Sequence, residues 1–399
     1  MISYEEATEL VLKSVSKLGR INLELVKAQG YVLADNIVSQ VDVAPFRNSA
    51  MDGFAVSSEQ LENCSLENPV ALPIEATIFA GDACGEIQSK ESAVRVMTGA
   101  PVPSGCNCVV KLEDTKSGKQ QVTFSKPAES GENIRPAGED IVKGQTLYSS
   151  GHRIETFDIG ILASIGLSKA QVFEKPSLQV VITGDELVEP GEKLKPGQIY
   201  NSNKYTLASM LCGFCNKMEV ISTVHDTFES LNAVLNCEQN VIVTTGGVSV
   251  GERDLLPTAA EANGWETVFH KVSIKPGKPV YFARKQNQLL FGLPGNPLSA
   301  AITCALFVIP ALKKMAGYRQ FQLQPIPASL RNSRGRKSDR TIIWPGKIWN
   351  RGKQTVASFS SKKSSAALSA LLGSDGMIFQ RDHNSAEVEV VTWRQVFNQ

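Results

Sequence analysis

Apolar residues near the start of the chain recur at helical spacing. Ala7, Leu10, Val11, Val15 and Leu18 fall on one face, behind Ser3 and Glu6 placed as a capping box. The pattern predicts an amphipathic first helix whose stripe needs a partner elsewhere in the chain. From about Asn48 to Asp140 the periodicity gives way to short β-rich runs, ALPIEATIFA and SAVRVM among them, broken by turns bearing Gly and Pro. These predict a small β-domain. Beyond it FDIGILASIGL reads as another packed helix, so the simplest arrangement is a base built from both flanks with the β-domain inserted between them.

From Pro176 apolar strands alternate with helices: LQVVIT, a helix near Tyr205 to Leu211, MEVISTV, a helix near Thr227 to Leu235, and NVIVTT. That order predicts parallel strands joined by crossover helices, an α/β layer fold. LLFGL then runs into PGNPLSA and a long apolar helix ending near Leu312, with Pro297 suited to its first turn. After Gly317 the text is polar and strand-like, which predicts a second small β-domain. The expected fold is therefore multidomain, α/β plus β. Residues 1–46 and 141–175 form a split base, 47–140 the inserted β-domain, 176–316 a parallel-sheet α/β domain, and 317–399 the C-terminal domain.

Composition supports several domains, because 399 residues exceed the size at which one core keeps growing. Lys and Arg number 41 against 40 Asp and Glu, so any anion site must be local, and binding of nucleic acid or a membrane surface by the whole protein is not expected. Glu5, Glu6 and Glu9 stand where a signal peptide carries basic residues, and no apolar run of membrane-spanning length is read, so a soluble, cytoplasmic protein is expected. The eight cysteines are scattered, and neither Cys106/Cys108 nor the C-x-x-C of Cys212 and Cys215 has the further ligands that zinc needs. Both pairs, and the four histidines, are read as structural.

The polar loops fall at predicted strand ends, where open α/β sheets bind ligands. One carries Gly184, Asp185 and Glu186; another carries Gly246, Gly247, Ser249, Glu252 and Asp254. Adjacent glycines let backbone amides approach a phosphate, and a carboxylate a few residues on can hold magnesium against it. Lys271, Lys275 and Lys278 lie within eight residues, and Asn296 and Ser299 sit at a helix start. Singly these features have plainer readings, Gly-Gly as a turn and the lysines as a solvated face. Four such loops in one domain point to a phosphorylated ligand.

The ordered segments NSAMDGFAV, VMTGAPVPSGCNCVV, IRPAGEDIVKG, TGDEL, TTGGVSVGERD, IKPGKP and GLPGNPLS resemble the molybdopterin molybdenumtransferases, a family related to the C-terminal domain of gephyrin and to plant molybdenum insertases. The resemblance spans about Met1 to Gly317. It implies that the C-terminal domain is a β-barrel and that the protein is an elongated homodimer with its active site in a cleft between subunits. It matches Ser249 to an adenylate position, Asp254 to magnesium, and Asp226 and Glu186 to further cleft carboxylates, Asp226 being a second candidate metal ligand. Lys275, Lys278, Pro279 and Ser299 match molybdate-contacting positions; Lys271 matches another cleft lysine; Asp52, Thr98 and Asp140 match polar residues of the opposite face. In the last domain Arg340 aligns with the first of two family arginines, with Pro345 where the second is often found. Ser365 matches a serine near the oxyanion, followed by Ala366 where glycine is usual.

What the resemblance implies is insertion of molybdenum from molybdate into adenylated molybdopterin, with Mg2+ as cofactor and AMP released, and no covalent protein intermediate. It adds the molybdopterin adenylyltransferase and molybdoenzyme maturation factors as partners. Adenylation of molybdopterin is a second enzymatic reading, since adenylyltransferases resemble the same α/β domain. A gephyrin-like scaffold is a third.

Overall fold

The computed structural model describes residues 1–83, 91–225, 227–247, 255–331, 338–362 and 364–397. The chain divides into two compact units, one of Met1–Asp35, Ser150–Glu155 and Lys169–Gln399, the other of Asn36–Ser149 and Thr156–Ser168.

The first unit is organised by a six-stranded sheet: β1 (Ser177–Thr183), β2 (Lys217–Val224), β3 (Val241–Thr245), β4 (Glu266–His270), β5 (Tyr281–Lys285) and β6 (Gln288–Leu293). Their order is β2-β1-β3-β6-β5-β4. The first four are parallel, as the alternation of strand and helix predicts. Every residue of β3 is buried, as expected of a strand covered on both faces. The sheet also has an antiparallel edge that the sequence reading did not contain. Lys285 pairs with Gln288 across a two-residue turn with Gln286 at φ 52, and a connection that short joins only antiparallel strands.

Helix starts follow local capping. Asn201 Oδ1 accepts from Lys204 N at 3.1 Å, which begins the helix Ser202–Leu211 three residues before the expected start, and Thr227 Oγ1 accepts from Ser230 N at 3.2 Å ahead of Phe228–Leu235. The first helix, Tyr4–Lys13, has Ser3 Oγ accepting from Glu6 N at 3.0 Å. Its buried Ala7 and Val11 belong to the main core, and the Tyr4 ring lies 5.9 Å from Phe307 and 5.7 Å from Phe379. Phe307 sits in the long helix Pro297–Met315, which supplies the partner the first helix needs. Contrary to the sequence expectation, this 19-residue helix is long and apolar enough to cross a membrane, although 94% of the qualifying stretch is buried inside the protein. It runs past Pro310 through a wider π-helical turn, Cys304–Val308, where Ile309 N donates to Cys304 O five residues back.

The C-terminal strands close into a five-stranded barrel: Thr341–Arg351 pairs with Gln354–Phe359 and Gly376–Gln380, and Ile326–Leu330 and Glu387–Thr392 complete the circuit. A short strand of the first unit, Ile274–Lys275, adds to it in parallel at Thr341 and Ile342.

The second unit holds another six-stranded sheet, in the spatial order Cys108–Lys111, Gly53–Val56, Ala93–Val96, Val70–Ile78, Gln121–Phe124 and Thr115–Ser117. Phe54 and Phe124 meet edge to face beneath it, with centroids 6.4 Å apart. The helix expected from FDIGILASIGL forms over Thr156–Ser164 but is not packed all round: Leu162 is its buried residue, while Phe157 is 85% and Ile161 37% exposed. Its apolar residues are spread over more than one face, so periodicity does not say which face is covered.

Candidate functional site

In the first unit a cleft of about 510 Å³ opens beyond the carboxyl ends of β1, β3 and β6. Thr183 and Gly184 come to it from β1, Gly246 and Gly247 from β3, and Pro294 to Pro297 from β6. Gly246 is at φ 90, and a Cβ there would stand 2.4 Å from Thr183 Oγ1, so only glycine lets these two loops approach. Asn203, buried at the start of its helix, donates Nδ2 to Gly295 O at 2.7 Å and ties that helix to the GNP loop. Glu186 is exposed in the same cleft. A larger cavity of about 640 Å³ lies on the barrel, where Arg381 pairs with both Glu5 and Glu389.

The lysine loop flanks this cleft through Pro279, one of its lining residues. Lys271 is held in the left-handed region, at φ 76, while its amide donates to Val280 O at 2.9 Å. Lys275 lies on the strand that joins the barrel, directly opposite Ile342, and no described carboxylate pairs with Lys271, Lys275 or Lys278. Arg340, half-buried at the start of the barrel strand, donates Nη1 to Ile274 O at 3.1 Å, which fixes its guanidinium beside the lysine strand. A second barrel loop reaches the helix start: Asn296 Nδ2 donates to Ser365 Oγ at 3.2 Å and Ser299 N to Ser365 O at 3.3 Å, with Ala366 lining the cleft. Ser299 itself is buried.

The second unit knits three of the sequence segments together. Gly99 N donates to Ser49 O at 2.8 Å and Ser49 N to Ala100 O at 2.9 Å, which joins NSAMDG to TGAP, and Arg135 pairs with Asn48 to add IRPAGED. Asp52 Oδ1 accepts from Thr98 N at 2.7 Å and Thr98 Oγ1 at 2.8 Å. The backbone bond first, and the hydroxyl after it, hold the Asp52 carboxyl below its usual range. A depressed carboxylate pKa means that these bonds contribute fully above the ordinary value and are lost as the pH falls through the lowered one. Thr98→Val removes the hydroxyl and keeps the amide, so the Asp52 titration followed by NMR should move part of the way back up; an unchanged titration would show that the hydroxyl makes no bond. Asp140 lies with Asn48, Gly99 and Arg135 around a separate hollow of about 270 Å³.

Residues 2–166 match the family model of the MoeA N-terminal region (domain I and II), and residues 179–314 that of a probable molybdopterin binding domain. The molybdopterin molybdenumtransferase of Staphylococcus epidermidis is 35% identical over 332 residues, covering 82% of this chain and 79% of its own. That of Synechococcus elongatus is 32% identical over 385 residues, 94% of each. The chain belongs to the molybdopterin molybdenumtransferase family. Two crystal structures of the molybdopterin biosynthesis MoeA protein from Pyrococcus horikoshii superpose with TM-scores of 0.83 and 0.77 at 29% and 27% identity, each over 98% of this chain and 99% and 100% of theirs.

For a molybdopterin molybdenumtransferase the sequence expectation sorts into three groups. Glu186, Gly246, Gly247, Pro279 and Asn296 meet at the cleft. Lys275, Arg340, Ser299 and Ser365 are strung beside it by the bonds above, and Asp52, Thr98 and Asp140 belong to the second unit. Asp226, Ser249 and Asp254 lie outside the described residues. The sequence reading missed the stretch Ile199 to Asn203, which lines the cleft. Its available signal was Asn201 at a helix cap directly after a short strand.

Proposed function

We propose that this chain transfers molybdenum from molybdate to adenylated molybdopterin with release of AMP. One observation carries the reading: the barrel brings Arg340 and Ser365 onto the lysine strand and the GNPLS helix start, beside a Gly-Gly cleft. The cleft suits the pyrophosphate, because its glycine loops let phosphates approach the backbone closely and it lies beside the start of the long helix. The adjoining cationic groups suit a tetrahedral oxyanion, which Lys275, Lys278 and Arg340 would hold by charge-assisted bonds close to the dithiolene sulfurs. Holding both reactants in one geometry, and offsetting their charge as the adenylate leaves, supplies the catalysis without a protein nucleophile.

Among the described residues no group of three or more His, Cys, Asp and Glu forms a metal cage. Mg2+ does not need one, because it takes one or two carboxylates and fills its shell with phosphate oxygens and water. Glu186 fits that requirement, and from the sequence Asp226 and Asp254 would join it. When bound, Mg2+ would offset the phosphate charge.

Two further features belong to the proposal. The exposed apolar face of Thr156–Ser164 supports a homodimer, since such a face on a lone chain is an unused contact. In that dimer Asp52, Thr98 and Asp140 of one copy would serve the cleft of the other. The adenylyltransferase reading is tested by supplying molybdopterin and ATP: the chain should form no adenylated product. ATP-dependent adenylation by this chain alone would replace the proposal.

A further inference from the structure

The C-x-x-C of Cys212 and Cys215 plays no part in the proposed chemistry, and its geometry is not that of two packed thiols. Of the seven described cysteines, Cys212 is the exposed one, and Cys64, Cys106, Cys108 and Cys304 are buried. Cys212 ends the helix Ser202–Leu211 and opens a single 3-10 turn, Cys212–Phe214, after which Cys215 is extended. Residues three apart in such a turn have Cα atoms about 6 Å apart, inside the range of about 4.4–6.8 Å that a disulfide spans. The second thiol is folded back toward the first residue: Cys215 Sγ donates to Cys212 O at 3.7 Å, while Cys212 Sγ donates to Ser209 O at 3.4 Å.

The turn is held from both sides. Inside, Phe214 is buried against Tyr318, with ring centroids 6.5 Å apart, and Lys313 Nζ stands 5.6 Å from its ring. Outside, Lys175 Nζ donates to Gly213 O at 3.2 Å and lies 4.5 Å over the Tyr31 ring. Burial pushes the Cys215 thiol up, as does the neighbouring Cys212, and the Lys175 charge works against both. An accessible first thiol, a sheltered second thiol within one turn and a cation beside the second make up an attacking and resolving pair.

We propose that Cys212 and Cys215 form a reversible dithiol–disulfide site for a low-molecular-weight disulfide such as glutathione disulfide. The Cys212 thiolate attacks one sulfur of the oxidant, expels one glutathione thiolate and becomes a mixed disulfide. The Cys215 thiolate then attacks the Cys212 sulfur, forms the Cys212–Cys215 bond and expels the second glutathione. Two electrons pass to the oxidant, and the two thiol protons end on the released glutathiones. Lys175 is a positioning residue, holding the Gly213 carbonyl and favouring the Cys215 thiolate.

The test treats the full chain with glutathione disulfide, quenches with acid and reads intact mass and non-reduced peptide maps. The wild type should lose two hydrogens, mapped to a Cys212–Cys215 link that dithiothreitol reverses. Cys215→Ser should stop at one glutathione on Cys212, and Cys212→Ser should take up neither modification at this turn. Lys175→Met should accumulate the mixed disulfide, with recovery in Lys175→Arg. Wild-type protein that keeps glutathione on Cys212, links Cys212 to another cysteine or does not react would overturn the proposal. The readout is a mass, so it is independent of molybdenum transfer, and under reducing conditions both serine variants should keep wild-type activity.

Discussion

Gly246→Ala should lower AMP release by roughly a hundredfold while leaving a folded protein, because the substitution strikes the approach of two loops and no core contact. A left-handed backbone costs a non-glycine residue about 1–2 kcal/mol before any clash is counted. Here the added Cβ would also meet Thr183 Oγ1 at 2.4 Å and Thr183 O at 3.1 Å, and that same hydroxyl already donates to Thr245 O at 3.1 Å. Neither atom belongs to a long flexible side chain that can swing away, so the loop after β3 must move. A displacement on the order of 1 Å at a positioning loop is enough for a loss of that size. Thermal denaturation should still show a cooperative transition a few degrees lower. Near-wild-type AMP release from the variant would mean that the cleft between β1 and β3 does not hold the substrate.

The parts of this fold that were legible are those set by local rules. Ser3 and Glu6 announce the first helix, and the buried Ala7 and Val11 appear where helical spacing puts them. The strand runs of the α/β domain were readable because β1 and β3, buried almost throughout, are built on the unbroken apolar runs Val180–Ile182 and Val241–Val243. The antiparallel edge was not, since Gln286 and Asn287 lack the glycine that usually signals a two-residue hairpin. At the site, glycine and lysine loops could be picked out by residue type, but what joins them is non-local. Arg340 reaches Ile274 across 66 residues and Asn296 reaches Ser365 across 69, and neither pairing leaves a trace in spacing. Asn203 escaped notice for the same reason: its bond to Gly295 spans 92 residues.

Lys275→Ala should raise the molybdate concentration needed for half-maximal AMP release by about tenfold to a hundredfold, with high molybdate restoring part of the rate. A charge-assisted bond to a desolvated oxyanion contributes roughly 1.5–3 kcal/mol, and about 1.4 kcal/mol is a factor of ten. Lys275 is well placed for this role because its backbone is pinned on the barrel at Ile342 while no described carboxylate neutralises its ammonium. Lys278→Ala should behave similarly, though its greater exposure leaves more solvent to screen the charge. Affinity for adenylated molybdopterin should be little changed in both variants. A weakened pterin affinity with an unaltered molybdate requirement would assign these lysines to the pterin phosphate instead.

The most direct measurement mixes the purified chain with adenylated molybdopterin, molybdate and Mg2+ and follows AMP release together with molybdenum bound to the pterin. Both should rise together, one AMP for each molybdenum transferred, and both should stop when molybdate is withheld. AMP released without molybdenum gain, or no AMP at all from intact protein and substrate, would contradict it.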